Sequence, residues 1–294
     1  MGNHVKKYNS GISSPWRDPG VREFVRRALN EDIGSGDVTS RYLVVPHCRI
    51  RATILARHPC VVAGVEIVRL ACRLFDRRLN CRVVAPDGKH AGAGETILVL
   101  TGNARSILAL ERTILNFLQR LTGIASLTAQ YAAAVRRYGT IILDTRKTTP
   151  NMRLLEKYAV RCGGGQNHRM GLYDMVLMKD NHRFLWQKKH SLSEAVRVAR
   201  EKNPGVSIEV EVESMAQLED ALSASPDWIM LDNMPPALMK KCVKFCAGRC
   251  RLEASGGICL ENIRKIAATG VDAISIGALT HSAPAADLSL EVDY

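Results

Sequence analysis

The second half of this chain is constrained most by one rhythm. Short apolar, β-rich runs return at 140–144, 175–179, 207–212, 228–232, 250–254 and 273–276, with helical spacing at 151–162, 191–202, 214–223, 235–247 and 261–269 between them. The last runs close on Glu211, Asp232, Ser255 and Gly277, which stand 21, 23 and 22 residues apart. A strand about every 22 residues, joined by a helix, predicts right-handed βα repeats around a parallel sheet. Six such units in so short a stretch suit a compact, incomplete β/α barrel. A doubly wound sheet is the competing arrangement.

The first half has a different texture, that of an α+β unit. Helical spacing at 18–30 leads into a loop at 30–40. Strand-like runs follow at 49–56, 60–63, 80–85 and 96–100, with a helix at 66–75 among them and two helical stretches at 104–121 and 126–138. The 294 residues are enough for one large domain or two modest ones. At 46% hydrophobic and 24% charged, the composition is that of a globular chain. No stretch approaches the ~18–20 consecutive apolar residues of a membrane-spanning helix. The opening Met1-Gly2-Asn3-His4-Val5-Lys6-Lys7 has no apolar core behind it, so the expectation is a cytoplasmic protein.

Lys and Arg number 41 against 29 Asp and Glu, a formal net charge of +12. That excess favours a polyanionic partner: nucleic acid, an acidic membrane, or a small substrate rich in phosphate and carboxylate. Nine cysteines without paired spacing are expected to be reduced thiols. Cys242, Cys246 and Cys250 recur at every fourth position, which predicts one helical face. A buried stripe is preferred there to a metal site, because a fourth ligand is missing from the spacing.

Ligands of parallel β/α sheets bind beyond the carboxyl ends of the strands. In this sequence those ends read Asp144-Thr145-Arg146-Lys147, Met178-Lys179-Asp180-Asn181-His182, Glu211-Val212-Glu213-Ser214, Asp232-Asn233, Ser255-Gly256-Gly257 and Gly277-Ala278. Each has a bland reading: a solvated turn for Arg146-Lys147, a structural pairing of Glu211 with Lys179, a helix cap for Asp232-Asn233. Six polar or glycine-bearing ends in succession nevertheless predict a site. The loop Gly163-Gly164-Gly165-Gln166-Asn167-His168-Arg169 adds backbone freedom beside two donors. Ser255-Gly256-Gly257 and Gly277-Ala278, at neighbouring strand ends, suit a phosphate cup. Together they imply a small, heavily anionic, sugar-containing ligand, and acids in such a basic pocket hold Mg²⁺ or sugar hydroxyls. Neither a paired covalent nucleophile nor a Walker-type loop is present in the sequence.

From about Ala28 to Val292 the sequence resembles the quinolinate phosphoribosyltransferase family. The resemblance is carried by Glu31-Asp32-Ile33-Gly34-Ser35-Gly36-Asp37-Val38-Thr39-Ser40, Glu111-Arg112-Thr113-Ile114-Leu115-Asn116, Asp144-Thr145-Arg146-Lys147-Thr148-Thr149-Pro150, Gly163 to Arg169, Lys179-Asp180-Asn181-His182 and Glu253-Ala254-Ser255-Gly256-Gly257-Ile258. It implies an α/β protein of type II phosphoribosyltransferase architecture. After an extension at 1–27 would come a mixed α/β sandwich at 28–125, joined by 284–294, and then an irregular β/α barrel at 126–283. It implies the condensation of quinolinate with 5-phosphoribosyl 1-pyrophosphate to nicotinate mononucleotide, pyrophosphate and CO₂, with Mg²⁺.

The family's roles fall on matching positions. Arg146, His168, Arg169 and Lys179, with Arg112 from a partner subunit, would bind quinolinate. Lys147, Ser255, Gly256, Gly257, Gly277 and His281 would hold the phosphates. Lys147, Lys179, Glu211 and Asp232 would act in catalysis, the two acids also meeting Mg²⁺ largely through substrate and water. A homodimer is implied, alone or within a higher oligomer, with neither nucleic acid nor membrane as partner. A molybdenum-transport-associated relative is the nearest alternative, disfavoured by the presence of Arg146 together with His168-Arg169. A basic nucleic-acid-binding protein is the remote one, since aromatics are only 5% and no recognition motif appears.

Overall fold

The computed structural model describes residues 14–186 and 190–293. Positions 1–13 of the basic extension lie outside the described residues. Two compact units emerge. One, here the sheet unit, runs to Ala129 and takes in Thr148–Gly164 and the residues from Ala278 on; the other, the barrel unit, comprises Gln130–Lys147 and Gly165–Gly277.

In the sheet unit, α1 (Pro19–Ile33) and α2 (Val38–Leu43) precede β1 (Arg49–Ala56), β2 (Cys60–Val61), α3 (Val65–Phe75), β3 (Asn80–Val83), β4 (His90–Ala91) and β5 (Thr96–Asn103). A 32-residue helix, α4 (Ala104–Val135), then passes into the barrel unit. The main sheet is antiparallel in the order β12-β1-β5-β3, where β12 (Leu288–Asp293) returns from the far end of the chain. Ile54, Ile97, Leu98 and Leu100 of this sheet and Ile67, Leu70, Ile107, Leu110, Ile114 and Leu118 of α3 and α4 are fully buried. They form the unit's apolar core.

Two expectations for this half fail. The stretch 30–40 is not one loop: α1 runs on to Ile33, and Asp37 caps α2 by accepting from the Thr39 and Ser40 N–H groups at 2.9 and 3.0 Å. Nor are 104–121 and 126–138 two helices. Gly123 lies inside α4, where a Cβ would meet the Pro284 carbonyl oxygen at 2.0 Å. The glycine admits a close backbone approach; it does not end the helix.

The barrel unit carries β6 (Ile141–Leu143), β7 (Val176–Met178), β8 (Ile208–Val212), β9 (Trp228–Asp232), β10 (Arg251–Ser255) and β11 (Ala273–Ser275). Its helices are α6 (Asp180–Trp186), α7 (Leu192–Lys202), α8 (Met215–Leu222), α9 (Pro236–Cys246) and α10 (Ile263–Ala267). Two further helices, α5 (Arg153–Cys162) and α11 (Ala278–His281), belong to the sheet unit. The six strands are parallel in the order β6-β11-β10-β9-β8-β7. Sequence order is followed around the sheet without the reversal that defines a doubly wound fold, so the barrel reading prevails. β6 and β7 are the two ends of that order, which leaves the barrel incomplete.

The cysteine expectation also needs correction. α9 ends at Cys246 with Ala247 in the left-handed region, so Cys250 stands outside the helix, just ahead of β10. Its Sγ still lies 3.4 Å from that of Cys246.

Candidate active site

Each strand of the barrel unit ends at, or within three residues of, a residue of the predicted site. At the end of β6, Asp144 is fully buried and accepts from Asn167 Nδ2 at 2.6 Å and from the His168 N–H at 2.9 Å. Gln166 pairs with β6 through two backbone bonds, Gln166 N–H to the Ile142 carbonyl at 2.8 Å and Asp144 N–H to the Gln166 carbonyl at 3.2 Å. The glycine-rich segment is therefore drawn along the strand, and Asp144 sets where His168 and Arg169 begin. Arg146 is half-buried and Lys147 exposed, with the Lys147 N–H closing a turn on Thr145 Oγ1 at 3.0 Å.

Behind His168 stands a buried acidic pair absent from the sequence-based set of site residues. Its Nε2 lies 3.0 Å from Glu209 Oε2 and 3.7 Å from Glu253 Oε2, while Nδ1 accepts the Arg169 N–H at 2.7 Å. An accepting Nδ1 assigns the ring proton to Nε2, which faces Glu209. The three donor atoms lie within 4.8 Å of one another, a spacing that also suits a divalent ion. Arg169, itself buried, gives Nη1 to the Met175 carbonyl at 3.0 Å. The overlooked signal was the alternation in β8, Ile208-Glu209-Val210-Glu211-Val212, which puts two acids on one face of a wholly buried strand.

Glu211 is 8% exposed at the end of β8. Burial raises its proton affinity and the charge of Asp232 raises it further, while Lys179 pulls it back down. Glu211, Asp232 and Lys179 thus share one field at three strand ends. Such a pair of hard carboxylates fits a Mg²⁺ ion, which would relieve their mutual repulsion. Asp232 accepts from Asn233 Nδ2 at 2.7 Å, and the Asn233 N–H donates to the Ser255 carbonyl at 3.0 Å.

The loop after β10 is the segment expected from the sequence to form a phosphate cup. Gly256 and Gly257 have φ of +94° and +60°, and a Cβ on Gly256 would meet Asn233 Oδ1 at 2.1 Å. Asn262 closes the turn, donating from Nδ2 to the Gly257 carbonyl and accepting the Cys259 N–H, each at 2.9 Å. Gly277 follows β11, whose end is tied to β6 by the Ile276 N–H to Leu143 carbonyl bond of 3.0 Å. Eleven of the thirteen predicted positions thus fall in the barrel unit, at or beside its strand ends. Arg112 and His281 belong to the sheet unit, both exposed, on α4 and at the end of α11.

The chain matches two family models, the N-terminal domain of quinolinate phosphoribosyl transferase over 37–122 and the C-terminal domain over 124–291. A Bacillus subtilis relative, named as a probable carboxylating nicotinate-nucleotide pyrophosphorylase, is 42% identical over 92% of this chain and 93% of its own length. A Mycobacterium leprae carboxylating nicotinate-nucleotide pyrophosphorylase is 39% identical over 92% of the chain and 97% of its own. Among solved structures, the Francisella tularensis nicotinate-nucleotide pyrophosphorylase superposes with a TM-score of 0.90 at 38% identity, over 97% of this chain and 99% of that one. The Pyrococcus furiosus enzyme of the same name, at 17% identity and a TM-score of 0.69, shares the fold. With both family models matched and relatives aligned almost end to end, the chain belongs to the quinolinate phosphoribosyltransferase family.

Proposed function

We propose that this chain joins quinolinate to 5-phosphoribosyl 1-pyrophosphate, releasing pyrophosphate and CO₂ and giving nicotinate mononucleotide for de novo NAD biosynthesis. The observation that carries this reading is the succession of cations, two carboxylates and a glycine cup at the carboxyl ends of one parallel sheet, in a chain aligned end to end with enzymes named for that activity. Arg146 and Arg169, with Arg112 from a neighbouring subunit, receive the two carboxylates. His168 completes that pocket, its Nδ1 accepting the Arg169 N–H. Ser255, Gly256, Gly257 and Gly277 present backbone N–H groups to the 5-phosphate, with His281 nearby, and Lys147 and Lys179 meet the pyrophosphate.

As pyrophosphate leaves, positive charge grows at the anomeric carbon, and Glu211 and Asp232 stabilise it electrostatically. The pyridine nitrogen attacks that carbon, so no protein nucleophile is required. The pyridinium then accepts the electron pair left when the adjacent carboxylate departs as CO₂, and a solvent proton restores C–H at that carbon. Mg²⁺, held by Glu211 and Asp232 largely through substrate and water, would neutralise charge on the departing pyrophosphate.

The reading includes a homodimer. Tyr42 and Leu43 on α2 are 81% and 79% exposed, an apolar patch that a second copy would cover. No helix among the described residues is long and apolar enough to cross a membrane. The test is to supply quinolinate, 5-phosphoribosyl pyrophosphate and Mg²⁺ and measure CO₂ and nicotinate mononucleotide. Nicotinate in place of quinolinate should react roughly 30-fold or more slower, because one carboxylate partner of the arginines is lost. Comparable turnover of nicotinate refutes the assignment of this cluster.

A further inference from the structure

The amino ends of the barrel strands, opposite the ends that bear the predicted site, carry a pair of thiols. Asp227, Cys250 and Asp272 each stand one residue ahead of β9, β10 and β11. They line a cavity of about 550 Å³ that Cys246, Val243 and Leu252 also line. Cys246, at the end of α9, is buried, and Cys250 is partly exposed. Their sulfurs are 3.4 Å apart. Ala247 and Gly248, with φ of +48° and +76°, turn the chain back between them. Arg249 locks the turn: its N–H and Nε donate to the Cys246 carbonyl at 3.0 and 3.1 Å, and its Nη2 to the Phe245 carbonyl at 2.7 Å. The two thiols are thus held together before any ligand arrives, and the ordering cost of a chelate is already met. Cys242 takes no part, its Sγ lying 3.4 and 3.8 Å from the sulfurs of Met215 and Met234.

The pair offers two sulfurs and no more. Among the described residues, only His168, Glu209 and Glu253 form a group of three or more His, Cys, Asp or Glu side chains spaced for one ion. Zinc takes four ligands, and at about 2.3 Å per Zn–S bond a tetrahedral ion sets two sulfurs about 3.8 Å apart. Burial, and then the neighbouring Cys246, raise the proton affinity of the Cys250 thiol. That opposes a metal cation, which must displace the protons. A trivalent arsenical of the form R–As(OH)₂ meets all three conditions. Its third bond is already made to carbon, and its pyramidal angles, near a right angle, draw two sulfurs closer than a tetrahedral ion does. Its exchange releases no proton to solvent. Two As–O bonds break and two As–S bonds form, each thiol proton leaves with a hydroxide as water, and neither element changes oxidation state.

We propose that Cys246 and Cys250 form a chelating dithiol that binds an organic trivalent arsenical, its organic group lodged in the adjoining cavity. The site lies within the barrel unit alone and is independent of the reaction proposed above.

The probe is phenylarsine oxide, added to the reduced protein and followed by native mass spectrometry under graded mercaptoethanol. The variants are Cys250→Ser and Cys246→Ser, with Cys48→Ser as the control. Parent and Cys48→Ser should hold the phenylarsenical against excess mercaptoethanol, a monothiol, and release it to dimercaptopropanol, a dithiol. Loss of either chelating thiol removes the effective concentration that it supplies, so apparent affinity should fall about 100-fold or more. Cys250 is partly exposed, so Cys250→Ser keeps the test decisive if Cys246→Ser, altered at a buried position, does not fold. Equal affinity in parent and Cys250→Ser overturns the proposal, as does release from the parent by the monothiol concentration that strips the variant. Zn²⁺ supplied alone should be held no better by the parent than by Cys250→Ser. Zinc retained by the parent and lost in that variant would make this a metal site and overturn the proposal too.

Discussion

Gly256→Ala and Gly257→Ala form a matched pair that tests the phosphate cup. Both residues have positive φ, +94° and +60°, and an L side chain there costs about 1–2 kcal/mol in backbone strain. Their surroundings differ. A Cβ at Gly257 meets nothing within 4 Å, whereas one at Gly256 meets Asn233 Oδ1 at 2.1 Å, Cγ at 2.6 Å and the backbone N at 2.9 Å. The last contact is with main chain, so a rotamer change of Asn233 does not relieve it. Forcing such a contact adds roughly 1–3 kcal/mol. Gly256→Ala should therefore melt about 2–10 °C below Gly257→Ala by calorimetry. Asn233 cannot move alone, since it holds Asp232 through Nδ2 and Ser255 through its N–H. The displacement thus reaches Asp232, the carboxylate proposed to act in catalysis, and kcat/KM for 5-phosphoribosyl pyrophosphate should fall about 100-fold. Equal melting temperatures and equal kinetics in the two variants would refute the packing argument and the placement of the cup.

Lys147→Ala and Arg112→Ala should each be nearly inactive, with Lys147→Ala down at least about 100-fold while folding is retained. Co-expressed in equal amounts, they should recover about a quarter of the sites, because half the dimers are mixed and each mixed dimer has one intact site. Activity that merely sums the two parents places Arg112 in its own subunit's site. Burial pushes the thiols of Cys72 and Cys162 up to about 12, so neither should be alkylated by iodoacetamide at pH 8 until the protein unfolds, as read by peptide mass spectrometry. The Ser40 hydroxyl, and then the backbone N–H groups of α2, hold the Asp37 carboxyl below its ordinary range. A depressed carboxyl stabilises the fold above its unfolded value and loses that contribution as pH falls through the folded one. Asp37→Ala should therefore cost about 0.5–2 kcal/mol at neutral pH, and the difference should shrink below about pH 4 in acid unfolding followed by circular dichroism.

The strand ends were legible in the sequence because a polar residue after an apolar run has few other reasons to be there. Glu211, Asp232 and Ser255 stood out in that way. Glu209 and Glu253 did not, since an acid in the middle of an apolar strand reads as part of the run until the interior it faces is known. Gly123 misled for a related reason: the Pro284 carbonyl that requires it comes from the remote end of the fold. The short helix α2 was hidden by the glycines around it, although Asp37 followed by Thr39 and Ser40 carries a capping signature. Cys250 kept its company with Cys246 without the helix that the spacing predicted, because the left-handed turn at Ala247 folds the chain back.

The return of β12 to β1 has a consequence for synthesis. Arg57 and Glu291, whose ion pair bridges these segments, are separated by 234 residues. A ribosome adding about 5–20 residues per second emits all the barrel strands before β12 exists. For that interval β1 presents Ile54 and Ala56 beside an open row of backbone donors and acceptors, the kind of edge to which a stray strand can add. Order of emergence therefore opposes order of assembly: the part made first is finished last. Slowing translation through the barrel should lengthen this exposed interval, so a holdase that covers strand edges should matter more to the yield of this chain than to that of a protein whose first sheet closes early.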